Sequence, residues 1–391
     1  MINKEYKNVY IEITSLIISP SFILLSIWSL QFFGYFFLEE QFDPINNYTW
    51  IIVLVGIVSF LFGALFCSLL FPVKIAYNYD PINYDAIKLS YYIFLPIYIV
   101  FAFIPSLNIF ISGGSLEGIR EMLITNTIER DVTTVYSTYL NYLAVLYSIY
   151  IINYSNGYSK TFLYFVFLVG LFAGISTLGR SIILLMIIAC IISLFIQKKI
   201  SFKIIIIICI ILLISFLGFA LLLNKGGQNS IWENLIWNFN TYIFSGLSCF
   251  NYYVVYNEPY FEDGLLLPNF IRILLENFNF NLEKSPTFLP FIQIPSDSNV
   301  YTIFYPWYHD LGILGVVMSF FLMGNIFQYL FNRRYSSLIC RYFYSLSVYS
   351  IIMSIFDEQI IRAYPLWILS ILIPVSVGIF SLMYSQKKVK L

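Results

Sequence analysis

The sequence predicts an all-α, polytopic integral membrane protein of about ten transmembrane helices, with one large extracytoplasmic loop bearing short amphipathic helices. Three observations predict it. Sixty per cent of the 391 residues are hydrophobic and only 11% are charged. Mean hydropathy is +0.81. Long, charge-poor apolar runs recur from one end of the chain to the other. A spanning helix takes about 20 apolar residues, so ten of them absorb most of these side chains, whereas a water-soluble globule of this size cannot hide so many. The same composition excludes a disordered, collagen-like or disulfide-stapled chain. Equal numbers of basic and acidic residues, 21 each, leave no net positive charge for a nucleic-acid backbone.

The apolar runs fall at 16–38, 50–71, 91–112, 134–152, 161–178, 181–196, 204–223, 311–331, 342–356 and 364–384. The fifth and sixth are parted only by Gly179-Arg180. The first is too long for a signal-peptide core and has no small-residue cleavage site, so it is expected to stay in the mature protein. The whole chain then reads as a single transmembrane domain, 1–391, interrupted by the segment 224–310.

Orientation follows from Lys and Arg. With both termini in the cytoplasm, 14 of the 21 basic residues lie on the inner side, Arg341 among them. The outer side keeps Arg120, Arg130, Arg180, Lys225, Arg272, Lys284 and Arg362, together with 17 of the 21 carboxylates. Five of those seven outer bases are arginine. A guanidinium is a planar fork of donors that grips phosphate or carboxylate bidentately, which an ammonium cannot do.

Connections are short apart from 224–310, an 87-residue outer segment, and a loop of that size is usually functional. Within it Trp232, Leu235, Ile236, Phe239 and Ile243 recur at helical spacing, with Glu233, Asn234, Asn238 and Asn240 on other faces. That pattern predicts an amphipathic helix lying on the membrane surface or capping the bundle. A second helix is expected from Pro268, carrying Phe270, Ile271, Leu274, Leu275, Phe278 and Arg272. The stretch 284–310 reads as loop. No phosphate-cradling glycine loop and no GxGxxG after a strand is present. The five cysteines are scattered mostly inside apolar runs and read as small buried residues, with neither a disulfide framework nor a metal site.

Few residues carry chemistry. Arg180, in Gly179-Arg180-Ser181 between two apolar runs, is costly at that depth and flanked by small residues that leave room for a ligand. His309 is the chain's one histidine and the natural general base near neutral pH. Its neighbour Asp310 is either a second base or a helix cap, and Gly312 and Gly315 suit close helix packing. Glu358 and Arg362, four residues apart, suit an ion pair on one helix face or a place in a site. Arg120, Arg130 and Arg272 gain weight as anion binders by sharing the outer side.

Several of these features together resemble the Wzy-type polymerases of O-antigen, capsular and exopolysaccharide repeat units. They are the span count, the large loop before the eighth span, the Gly-Arg-Ser turn at 179–181, the run Ser298-Asn299-Val300-Tyr301-Thr302, and Tyr308-His309-Asp310 followed by Gly312 and Gly315. The resemblance implies a multi-pass protein of the bacterial cytoplasmic (inner) membrane working on its outer face. A glycan on a polyprenyl diphosphate would be transferred to a lipid-linked repeat unit, without metal or cofactor, beside a chain-length regulator and a flippase. It implies catalytic roles for Arg180, His309, Asp310 and Glu358, and substrate contacts from Arg120, Arg130, Arg272, Asn299, Tyr301 and Arg362. The related ligases carry a histidine just before the asparagine of their loop motif. Here Ser298 stands in that place, so that base cannot be carried over, and His309, Asp310 and Glu358 are the candidates for it. A lipid-linked oligosaccharide flippase is the alternative, but the sequence lacks the repeated halves and mid-membrane polar groups of transporters.

Overall fold

The computed structural model describes residues 16–35, 37, 41–73, 84–112, 132–177, 180–211, 230–257, 264–278, 282, 289–294 and 297–389. Among them the protein is helical apart from a two-residue antiparallel ladder, Ile292–Gln293 against Asp297–Ser298. Five helices are long and apolar enough to cross a membrane: Asn47–Leu70, Tyr84–Ser112, Phe304–Arg333, Leu338–Ile355 and Tyr364–Tyr384. Lys160–Ser176, Ser181–Ile196 and Phe202–Ile211 are shorter apolar helices. Pro20–Tyr35 and Val132–Asn153 are further helices in expected runs; among the described residues, five helices rather than ten meet the length and composition of a span.

Boundaries move for local reasons. The third helix starts at Tyr84 and widens into a π turn at Ile99–Phe103, three residues after Pro96, where a missing N–H disrupts the regular ladder. The eighth starts at Phe304 rather than 311, so His309 lies inside it. Gly312 then breaks it with φ 62° and ψ −156°. A methyl on Gly312 would meet nothing; its role there is conformational rather than the packing contact expected of it.

The chain forms two compact units. One comprises Met1–Val73, Ile200–Asn332 and Ser350–Tyr364. Within it the Asn47–Leu70 and Phe304–Arg333 helices cross backbone to backbone. A Cβ on Gly63 would fall 2.1 Å from the Phe321 carbonyl oxygen, and one on Gly324 2.1 Å from that of Phe60. Such contact between small residues replaces hydrophobic burial as the packing force in lipid. Trp28 donates from Nε1 to Ser354 Oγ at 3.0 Å and sets its ring edge-on to Phe304, which stacks on Phe320.

The third main member of this unit is the Ile231–Tyr256 helix, 26 residues long. Ser230 accepts from Glu233 N at its start in a capping arrangement, and Asn257, at φ 55°, ends it. The helix thus runs beyond the expected apolar pattern of Trp232 to Ile243. Trp232 is 74% exposed and Ile236 58%, whereas Asn238 and Asn240 are buried. Asn240 donates to Gln41 Oε1 and Gln31 donates to the Ile243 carbonyl. The apolar side is outermost and the amides pair inward, as hydrocarbon surroundings favour. From Phe244 to Tyr253 the helix runs in the unit's core, where the hydroxyls of Tyr35 and Ser248 bond to each other.

The other unit comprises Lys74–Lys199, Arg333–Tyr349 and Pro365–Leu391. Val132–Asn153 is its central helix. Gly170 lets the Lys160–Ser176 helix approach it, since a Cβ there would lie 2.7 Å from both Ser148 and Met186. A polar knot closes one end. Asn153, wholly buried, donates to the Leu338 carbonyl and accepts from Ser193 Oγ and Arg341 Nε, at 2.7, 3.0 and 2.8 Å. Arg341 is 3% exposed, a buried structural cation. All five cysteines are free; Cys67, Cys190 and Cys249 are buried as expected, Cys340 is half-buried and Cys209 is exposed.

Candidate functional site

The centre of the candidate site is a side-chain pair on adjacent residues. His309 Nδ1 lies 2.6 Å from Asp310 Oδ1. Neighbours in a regular helix diverge by about 100°; this pair meets two residues before the break at Gly312. The His309 side chain is 2% exposed and that of Asp310 13%. Tyr253 and Tyr305 pack on the imidazole with ring centroids 5.6 and 5.7 Å away.

Asp310 does not cap its own helix. Its carboxylate accepts the backbone N–H of Leu265 on both oxygens at 2.8 Å and that of Leu266 at 2.7 Å. Gly264 precedes those donors at φ 75°, and a Cβ there would sit 2.9 Å from Asp310 Oδ2. Glycine is required for both the backbone angle and the approach. Arg272 fixes the same loop from the other side. It is wholly buried on the Asn269–Glu276 helix, and donates from Nε to the Leu267 carbonyl at 3.0 Å and from its terminal nitrogen to the Gly264 carbonyl at 2.8 Å. The guanidinium expected to face a substrate anion instead braces main chain. The chain of contact runs Arg272, loop, Asp310, His309.

A carboxylate on Nδ1 selects the imidazole tautomer with its lone pair on Nε2. That is the arrangement of an oriented general base.

Of the other residues singled out in the sequence, Tyr301 touches Tyr305, stacking on it at 4.4 Å, and donates to the Pro290 carbonyl. Asn299 follows the short ladder and is half-buried. Thr302 Oγ1 is buried with no hydrogen-bond partner among the described residues. Arg362 pairs through its guanidinium with Asp357 at 3.1 Å, not with Glu358. Glu358 is fully buried and accepts the backbone N–H of Ile360 and of Arg362 at 3.0 and 2.7 Å. The expected side-chain pair is displaced because Glu358 folds back on its own turn. Burial pushes its carboxyl up to about 7, against the opposing effect of those N–H donors. Burial also raises Asp357, with Arg362 pulling the other way.

Arg180 is the first residue of the Arg180–Ile196 helix, which separates from Lys160–Ser176 where expected; its side chain lies outside the described residues. So do Arg120 and Arg130, in 113–131. No cluster of His, Cys, Asp and Glu among the described residues is placed to hold a metal. Sequence reasoning missed Gly264, Tyr253, Tyr305 and the loop amides. Asp263-Gly264 is a recognisable turn signal, but backbone donors have no side-chain signature.

Fold and site together define a helical protein of membrane-length segments that keeps an oriented histidine–aspartate pair beside a break in one of them. The chain is similar to an O-antigen polymerase of Shigella dysenteriae, 32% identical over 120 residues. The match spans 30% of this chain and 30% of that protein's length. No family model and no solved structure matches.

Proposed function

We propose that this protein polymerises polyprenyl-diphosphate-linked oligosaccharide repeat units at the outer face of the bacterial cytoplasmic membrane. The observation that carries the reading is the His309–Asp310 pair, an imidazole oriented by a carboxylate and shielded from bulk water. The partial similarity to an O-antigen polymerase supports it.

In this reading the acceptor is the terminal sugar hydroxyl of one lipid-linked unit. His309 Nε2 takes the hydroxyl proton as the oxygen bonds to the anomeric carbon of the growing glycan. The bond from that carbon to the diphosphate breaks, and its electron pair leaves with the polyprenyl diphosphate. Arg180 stabilises the charge that builds on the phosphate oxygens, with Arg120, Arg130 and Arg362 as helpers. Arg362 exchanges Asp357 for phosphate when substrate arrives. Glu358, poised near neutrality, is the second proton carrier. Tyr301 and Asn299 contact sugar, and Arg272 is assigned to the brace rather than to substrate.

The test is deletion of the gene followed by analysis of lipid-linked and surface glycan. Single repeat units exposed at the outer face, with polymer restored by the wild-type chain but not by His309→Ala, support the assignment. Units stranded on the cytoplasmic leaflet would assign the protein to transport instead. Full-length polymer with His309→Ala would remove His309 as the base.

A further inference from the structure

The Asn269–Glu276 helix turns an unusual surface outward. Phe270, Ile273, Leu274 and Phe278 are 43%, 48%, 56% and 72% exposed. Phe270, Ile273 and Leu274 recur at i, i+3 and i+4, on one side of the helix, Phe278 lies in the turn two residues past its end, and Arg272 projects from the opposite side. Four large apolar side chains on one short element and the turn after it form a patch that water disfavours and a lipid boundary accepts. The level of the helix is fixed by a second contact. The loop that Arg272 holds is bound by Asp310, in the second turn of the membrane-length Phe304–Arg333 helix of the same unit. An element touching the end of such a segment lies at the depth where acyl chains give way to headgroups.

We propose that the Asn269–Glu276 helix is a lipid-seated clamp on the histidine–aspartate pair. Its outward face enters the headgroup–acyl boundary of the bilayer. Its inward residue, Arg272, holds the Gly264 and Leu267 carbonyls, and so presents the Leu265 and Leu266 amides to Asp310. Arg272 is therefore a positioning residue that acts on His309 through two intermediates. The clamp assigns a role in glycosyl transfer only through the function proposed above, but its test reads lipid contact and ring geometry rather than polymer. Failure of one leaves the other standing.

The experiment uses the full chain in phospholipid nanodiscs. A nitroxide is attached at Ile273→Cys in a background with Cys209→Ser and Cys340→Ser, so that the accessible native thiols are absent. Collision with oxygen exceeding collision with a water-soluble nickel chelate is the expected result. The reverse ratio places the helix in water, and low values for both place a protein partner on it; either overturns the seat. In parallel, 15N-labelled histidine gives signals from His309 alone, since the chain has one histidine. Arg272→Gln and Gly264→Ala are each expected to shift the His309 nitrogen resonances away from a single tautomer with Nδ1 protonated, with Arg272→Lys only partly restoring the wild-type pattern. Gly264→Ala keeps the arginine and perturbs the next link, so it tests the chain of contact even where Arg272→Gln folds poorly. Wild-type His309 resonances in Gly264→Ala, or in a folded Arg272→Gln, overturn the clamp.

Discussion

Gly264 and Asp310 are 46 residues apart in sequence, yet a single methyl group added to the first would press on the carboxylate of the second at 2.9 Å. Gly264→Ala also forces an L side chain to φ 75°, which costs about 1–2 kcal/mol on its own. The variant is expected to melt several degrees lower in detergent and to make little polymer. Wild-type melting would show that the loop accommodates a side chain.

Asp310→Asn keeps the shape of the pair but can turn an amide N–H to Nδ1, which favours the tautomer with the proton on Nε2. The rate of polymerisation from purified lipid-linked units is expected to fall by about a hundredfold or more, at normal protein abundance. The loss should appear in the rate at saturating substrate, since the pair is assigned to proton transfer rather than to holding sugar.

Arg180→Lys preserves charge and removes the fork of donors. Surface glycan is expected to collapse to single or very short repeats while immunoblots show normal levels. Wild-type chain lengths would transfer the diphosphate to another group.

Glu358 binds its proton more tightly in the folded protein than in the unfolded chain, because burial holds its carboxyl up at about 7. Folding gains from this at low pH, and the gain is lost as pH rises from the ordinary glutamate range through about 7. The displacement is worth about 3 kcal/mol at most. Melting temperature should therefore fall across that window in the wild type, and Glu358→Gln should flatten the fall. Parallel curves for the two proteins would place the titrating group elsewhere.

Gly324→Leu is expected to destabilise by about 1–3 kcal/mol or to prevent folding, because even a Cβ would lie 2.1 Å from the Phe60 carbonyl oxygen. Folded yield on size-exclusion chromatography reads the outcome. Gly378→Leu is its control, since a Cβ there meets nothing.

Much of the fold was legible in the residues. Long apolar runs at Asn47–Leu70, Phe304–Arg333 and Tyr364–Val389 mark helices because no other element satisfies every backbone group in hydrocarbon. The Gly179-Arg180 break and the Pro268 start were visible for similarly local reasons. Burial direction was harder to read. Trp232 and Ile236 look like a core face by the rules of water, but here Asn238 and Asn240 are buried, Asn238 on the Asn234 carbonyl of its own helix and Asn240 on Gln41, and the second of these depends on a distant partner. His309 and Asp310 were singled out, whereas the amides of Leu265 and Leu266 could not be, because any residue but proline supplies the same N–H. The pairing of Arg362 with Asp357 went unforeseen because Glu358 satisfied itself on its own turn.

The break at Gly312 has an effect on the azimuth of the histidine. A continuous helix transmits rotation along its length, so each residue gained or lost would swing everything upstream by about 100°. With the main chain unwound at one glycine, the first two turns of Phe304–Arg333 take their heading from the loop bound to Asp310 rather than from the phase of the membrane segment below. Sequence drift that lengthens or re-registers that segment, as a thicker or thinner bilayer would select, need not rotate the imbedded imidazole out of line.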